Sequence, residues 1–167
     1  AGNFIKEADI AMYEAKGKGR NGIIFFNDRL AKHVEWKLEI ERLLHFSLQN
    51  NEITLTYQPQ YNAENEIIGC EVLSRWNNET LGEVCPTEFI PISEKTGFII
   101  ELGFYILKEA FLTLKEWEEK GVSLQQMSIN VSMRQLFHYH FINDVKHLCE
   151  TYLTKEQRSK IVFEITE

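Results

Sequence analysis

The stretch IIGCEVLSRW, Ile67–Trp76, decides how this chain folds. Read as a β-strand, its side chains alternate between two faces. Glu71, Leu73 and Arg75 share one face; Cys70, Val72, Ser74 and Trp76 share the other. An acid and a base on one face, two positions to either side of a leucine, leave two readings open. Glu71 and Arg75 form an ion pair on a solvated face, or they face a ligand.

Working upstream, ITLTYQPQY (53–61) is a second β-rich run, and NAENE (62–66) is a turn. A connection this short cannot hold a crossover helix, so the two strands are expected to pair antiparallel. Further upstream, residues 3–16 carry an apolar stripe at helical spacing (Phe4, Ile5, Ala8, Ala11, Met12, Ala15). Gly17, Gly19 and Gly22 break that helix, IIFF (23–26) reads as a short strand, and a second helix runs from about Leu30 to Gln49.

Downstream the rhythm changes. PTEFIPISEKTG has proline at its start and Gly97 as its stop, both helix-end signals. A helix from about Ile99 to Lys120 sets Leu107, Ala110, Phe111, Leu114 and Trp117 on one side. MSINVS (127–132) is a strand, residues 133–152 a helix, and KIVFEITE (160–167) a strand. Helix, helix, strand, helix, strand is the order of parallel βα units, so the fold class is α/β.

On these strands Asn130 shares a face with Ser128 and Ser132, and Glu164 with Val162 and Thr166. Glu71, Asn130 and Glu164 thus place an oxygen-bearing side chain near the C-terminal end of each of three strands. Such groups are costly to bury without a partner. On neighbouring barrel strands they converge at the C-terminal mouth, where such folds keep their sites. Two carboxylates and a carboxamide oxygen form a hard set that suits Mg²⁺, Mn²⁺ or Ca²⁺ rather than zinc. Arg75 beside them is placed to hold a phosphate oxygen.

Bulk properties narrow the classes. The 167 residues are 44% hydrophobic, 12% aromatic and 26% charged, the profile of one folded domain and not of a disordered chain. A formal charge of −7 without a basic face argues against binding DNA or RNA polymers, and an anionic partner calls for metal ions to mediate its approach. Cys70, Cys85 and Cys149 are odd in number and far apart, which argues against a disulfide framework or structural zinc and for reduced thiols in the cytoplasm. The most apolar run, GFIIELGFYIL (97–107), is too short to span a membrane and carries Glu101, and the N-terminus lacks the apolar stretch of a signal peptide. The chain has no initiator Met, so it is expected to be cut from something longer. His138 and His140 diverge if they lie on a helix, which favours packing or surface roles.

Five blocks in order carry a resemblance: YQPQY, GCEVLSRW, TEFIPISEKTGFI (87–99), SINVSMRQL (128–136) and VFEITE (162–167). Together they resemble the first half of the EAL domain, the family of cyclic-di-GMP phosphodiesterases, over about residues 35–167. The signature Glu-Ala-Leu stands here as Glu71-Val72-Leu73, with the substituted Val72 on the face away from Glu71 and Leu73. Upstream, ADIAMYEAKGKGRNGIIFF (8–26) resembles the last helix and strand of a GGDEF domain, the diguanylate cyclase fold.

The resemblance implies a domain order of 1–28 as a GGDEF remnant, 29–50 as linker and first EAL helix, and 51–167 as the N-terminal half of an EAL domain. It implies a (β/α)₈ TIM-like barrel, here partial, whose first strand runs antiparallel to the rest. Glu71, Asn130 and Glu164 fall at its metal positions, and Gln58, Leu73 and Arg75 at positions that meet the dinucleotide. The parent protein is expected to hydrolyse cyclic-di-GMP to linear pGpG with Mg²⁺ or Mn²⁺. A non-catalytic cyclic-di-GMP-binding module and a protein-interaction domain are the alternatives. The family's later aspartate pair and catalytic lysine are not in this sequence, so the 167 residues alone are expected to be inactive. Open strand edges are expected to promote self-association.

Overall fold

The computed structural model describes residues 2–17 and 23–166, in two compact units, Ala1–Leu44 and His45–Glu167. The first unit contains helices α1 (Gly2–Gly17) and α2 (Asp28–Leu44). The Asn27 side chain accepts the Leu30 N–H at 2.8 Å, an N-cap that starts α2. Lys6–Glu35 and Lys37–Glu14 pairs, at 3.4 and 3.8 Å, link the two helices; pairs of this kind contribute little stability each.

Two expectations fail in this unit. Residues 23–27 form no strand, and Ile23 and Phe25 are exposed. A strand needs a neighbour for its backbone N–H and C=O groups, and no described strand pairs with this stretch. The glycine break falls largely on residues 18–22, outside the described residues. The second helix ends at Leu44, not near Gln49: the chain continues in turns to Asn51, which takes a left-handed conformation (φ 56°) that asparagine tolerates better than most residues.

The second unit holds the sheet. Its strands are β1 (Ile53–Tyr61), β2 (Ile67–Asn78), β3 (Gly82–Val84), β4 (Gln126–Ser132) and β5 (Ile161–Thr166). Its helices are α3 (Pro86–Thr96), α4 (Ile99–Glu119), α5 (Met133–Leu136), α6 (Phe141–Tyr152) and α7 (Lys155–Arg158). The strand order is β1-β2-β4-β5, with β3 paired to β2 off that path. β1 runs antiparallel to β2; β2–β4 and β4–β5 are parallel. This is the expected α/β arrangement, a partial (β/α)₈ barrel with a reversed first strand, and β1 and β5 are its edges.

The helix expected over residues 133–152 is broken. α5 stops after one turn, and α6 begins at Phe141. A continuous helix would set Phe137 and Phe141 four residues apart on one face. The break instead buries Phe141 and leaves Phe137 and Tyr139 exposed. It also removes the premise used for His138 and His140, which lie in the connecting turn with ring centroids 6.3 Å apart. α7 and β3 were not anticipated. Thr154 and Gln157 form a capping box at α7, a signal present in the sequence as T-x-x-Q.

Alternation of β2 positions everything else. Cys70 and Val72 join Met127, Ile129 and Val131 of β4 in one apolar cluster with Leu107, Phe111 and Leu114 of α4 and Phe141 and Val145 of α6. Farther along β2, Trp76 is fully buried and meets Phe89 of α3 edge-on at 5.8 Å. On the opposite sheet face, Gln126 of β4 donates to Gln60 of β1 at 2.8 Å across the central strand. That bridge passes over Gly69, where an added Cβ would lie 2.5 Å from the Gln126 side chain, so the position admits only glycine without a shift.

The buried end of Trp76 is polar and must be satisfied. Its Nε1–H donates to the Glu52 carboxylate at 2.9 Å, and Asn78 Nδ2 donates to the same oxygen at 3.0 Å. Burial pushes the Glu52 carboxyl up, but hydrogen bonds from Asn78, Trp76 and Asn50 outweigh it and hold the group below its ordinary value. A carboxyl lowered in the folded state stabilises the fold above its unfolded pKa and loses that contribution as pH falls through the folded value. We predict that the urea midpoint of the protein falls steeply below about pH 4.5, and that Glu52→Gln is less stable at neutral pH by about 1–2 kcal/mol with a flatter acid limb. Parallel acid limbs for the two proteins would show that Glu52 has no such role.

Candidate metal and nucleotide site

The strand register brings the singled-out residues onto one face of the sheet. Gln58 of β1 lies opposite Glu71 of β2, and Glu71 opposite Ser128 of β4. Asn130 stands two residues beyond Ser128, hence on the same face, and is paired in register with Glu164 of β5. The Asn130 Nδ2 donates to Glu71 Oε1 at 2.8 Å. Glu71, Asn130 and Glu164 therefore come from three adjoining strands, and the first two touch.

The alternative of a Glu71–Arg75 ion pair is not what forms. Among the described residues Arg75 makes no ion pair; its Nη1 donates to the Ser74 carbonyl at 2.9 Å. Its guanidinium is left with donors to offer. Arg75 and Leu73 line a cleft of about 390 Å³ together with Asn130, Ile90, Glu94 and Ile106. Glu71, Glu164 and Gln58 do not line it, although Glu71 shares the sheet face of Leu73 and Arg75, and Gln58 is exposed. A larger, shallower hollow of about 540 Å³, lined by Lys115, Glu118 and Gln157, shares no residue with this cleft.

The donor set fits a hard divalent cation. As placed, the Asn130 amide turns its nitrogen toward Glu71. Rotation about its last torsion, which is soft for amides, exchanges nitrogen for Oδ1. The three groups then offer only oxygens, the chemistry of Mg²⁺ or Mn²⁺ sites. Among the described residues no three His, Cys, Asp or Glu side chains cluster, so the set is two carboxylates and a carboxamide. The thiols play no part: Cys70 is buried and its thiol is pushed up to about 11 by burial, and Cys149 is raised for the same reason.

Neighbouring residues hold this geometry and were not foreseen. Ser132, the last residue of β4, accepts the Gln135 N–H while the Gln135 side chain accepts the Ser132 N–H at 3.0 Å, a capping box that fixes the chain just past Asn130. Gln135 in turn lies against Gly103 of α4, where an added Cβ would meet its side-chain nitrogen at 1.8 Å. The S-x-x-Q spacing was the available signal for the cap; the approach to Gly103 had none.

A family model described as EAL domain matches residues 40–167. The chain belongs to the EAL domain family. It is 32% identical over 161 residues to the bifunctional diguanylate cyclase/cyclic di-GMP phosphodiesterase MucR of Pseudomonas aeruginosa, an alignment covering 96% of this chain and 23% of that protein. It is 32% identical over 133 residues to the cyclic di-GMP phosphodiesterase PdeR of Escherichia coli, covering 80% and 20%. The structure of the PaMucR phosphodiesterase in complex with c-di-GMP matches with a TM-score of 0.71 and 30% identity, covering 77% of this chain and 52% of that one. This EAL domain chain thus spans about a fifth to a quarter of the length of these two curated relatives.

The oxygen cluster makes a prediction that needs no substrate. Asn130→Asp puts a third carboxylate beside Glu71 and Glu164, where like charges repel. At neutral pH the variant is expected to lose about 1 kcal/mol of stability, and millimolar Mn²⁺ or Mg²⁺ is expected to restore it selectively. Urea midpoints with and without the cation test this; equal midpoints for both proteins in both conditions would separate the three groups.

Proposed function

We propose that this EAL domain belongs to a cytoplasmic cyclic-di-GMP phosphodiesterase, and that its site is the face carrying Glu71, Asn130 and Glu164 with the adjoining cleft of Leu73 and Arg75. The observation that carries the proposal is the placement of hard oxygen donors on three adjoining strands beside an arginine that makes no ion pair among the described residues. Similarity to proteins named as cyclic-di-GMP phosphodiesterases supports the choice of substrate.

In this reading Glu71, Asn130 and Glu164 hold divalent cations, Mg²⁺ or Mn²⁺. Bound cations supply neutralisation of the phosphate and a water of lowered pKa for in-line attack on one phosphodiester, giving linear pGpG. The protein's own residues bind and orient. Arg75 donates to a phosphate oxygen, and as a planar fork it fixes the direction of the group as well as its charge. Leu73 gives the ligand an apolar floor, and Gln58, opposite Glu71, offers an amide to the ligand's rim. The Ser132–Gln135 capping box holds Asn130 in register. No helix among the described residues is long and apolar enough to cross a membrane.

The alignment with a bifunctional cyclase/phosphodiesterase extends over 96% of the chain, which supports reading residues 1–28 as a GGDEF remnant ahead of the EAL segment that begins in residues 29–50 and continues over 51–167. The donor set of two carboxylates and a carboxamide supports weak cation binding by the 167 residues alone, and no turnover.

The tests separate these statements. In the natural protein that carries this domain, Glu71→Gln is expected to lower the rate of pGpG formation by about a hundredfold or more, about 2.7 kcal/mol of transition-state stabilisation. The 167-residue chain is expected to release no pGpG under the same conditions. Full activity of the variant would remove Glu71 from the site; turnover by the short chain would show that the residues here suffice. The open edges β1 and β5 further support self-association of the chain. Sedimentation is expected to show a dimer or larger species, and a folded monomer at micromolar concentration would rule that out.

A further inference from the structure

One wall of the cleft carries a carboxylate that the fold does not use. Thr87, Ile90, Pro91 and Glu94 leave α3 at helical spacing and line the cleft together. Among the described residues the Glu94 carboxylate has no hydrogen bond or ion pair. Its backbone, by contrast, is held firmly. The Arg134 guanidinium donates to the Glu94 carbonyl and, at 3.2 Å, to that of Lys95. Gly97, in a left-handed conformation (φ 88°), closes α3 by donating its N–H to the same Glu94 carbonyl. An unpaired acid therefore sits on a fixed helix end, flanked in the cleft by Ile90, Pro91 and Ile106.

A carboxylate in the cleft of a ligand with two phosphodiester charges is repulsive unless the ligand brings N–H or O–H donors to it. A ribose hydroxyl offers one donor. A guanine offers N1–H and N2–H side by side, a fork that matches the two oxygens of a carboxylate. The apolar lining around Glu94 suits the flat face of a base and gives a phosphate nothing. Adenine presents an acceptor at its ring N1, which a carboxylate repels.

We infer that Glu94 is a specificity-determining residue that reads the Watson–Crick edge of one guanine of cyclic-di-GMP. The inference rests on the cyclic-di-GMP reading above and goes beyond it in naming the residue that selects the base. A site built to pair with substrate N–H groups rejects analogues that lack them, because its own polar group is then left buried and unpaired.

The experiment is calorimetric titration of the natural, full-length protein with cyclic-di-GMP, with its inosine analogue, which keeps N1–H and lacks the N2 amino group, and with cyclic-di-AMP. The unaltered protein is expected to bind the inosine analogue about tenfold more weakly than cyclic-di-GMP, one charge-assisted hydrogen bond being lost. Glu94→Gln is expected to weaken cyclic-di-GMP binding by about thirtyfold or more. It is also expected to abolish the difference between the guanine and inosine ligands and to narrow the preference over cyclic-di-AMP. An unchanged thermal melt shows that the variant folds, and the analogue series on the unaltered protein needs no variant. Tight cyclic-di-GMP binding with equal affinity for the inosine analogue, or a Glu94→Gln affinity within about twofold of the unaltered protein, overturns the assignment and leaves the functional reading standing. Absence of cyclic-di-GMP binding by the unaltered protein overturns both.

Discussion

The alternation of β2 is the constraint on which the molecule depends. Cys70, Val72 and Trp76 are buried on one side of the strand, so Glu71, Leu73 and Arg75 have to face the other. A slip of one residue against β1 would exchange the two faces completely. It would drive Glu71 and Arg75 into the layer under α4 and expose Trp76, losing roughly 3 kcal/mol from the tryptophan alone and more from the unpaired charges. Chemistry and core are thus specified by the same register.

The register is fixed on both sides of β2. Toward β1 it is set by an unbroken antiparallel ladder from Ile53–Trp76 to Gln60–Gly69, irregular only at Tyr61. Toward β4 it is set by a short parallel ladder from Gly69 to Val72 and by the Gln60–Gln126 bridge that crosses above Gly69. Glycine there lets side chains from the two flanking strands meet over the central one, tying β1 and β4 at the same level. Above that level, the Asn130–Glu71 bond joins β2 and β4 at the end of their backbone pairing, Asn130 standing one residue past the last paired position, Ile129. Polar side chains therefore continue the ladder toward the C-terminal mouth.

The same polar face explains why binding and positioning are divided. Glu71 and Glu164 stand over the sheet, while Arg75 and Leu73 reach the cleft walled by α3 and α4. Asn130 belongs to both, touching Glu71 and lining the cleft. The chain after it is locked by the Ser132–Gln135 box, and Arg134 from that same turn holds the end of α3. The end of β4 is thus tied to the cleft wall through hydrogen-bonded groups. The Lys160–Glu118–Gln157 contacts, at 2.5 and 2.8 Å, anchor the start of β5 to α4 in a similar way.

Periodicity and turn chemistry in the sequence determined the hairpin, the order of βα units, and the faces of Glu71, Asn130 and Glu164, because alternation is a local property of the strand. The helix ends at Pro86 and Gly97 were equally legible, since proline and left-handed glycine act where they stand. Only the tertiary structure decided the rest. IIFF had the composition of a strand, but strand pairing is a contact with another element. The break between Leu136 and Phe141 depends on which aromatic ring the core accepts, and hydropathy does not rank Phe137 below Phe141. The place of Glu94 in the cleft comes from how α3 docks, which no local pattern encodes. The contact of Gln135 with Gly103 likewise joins residues far apart in the chain, and only packing could bring them together.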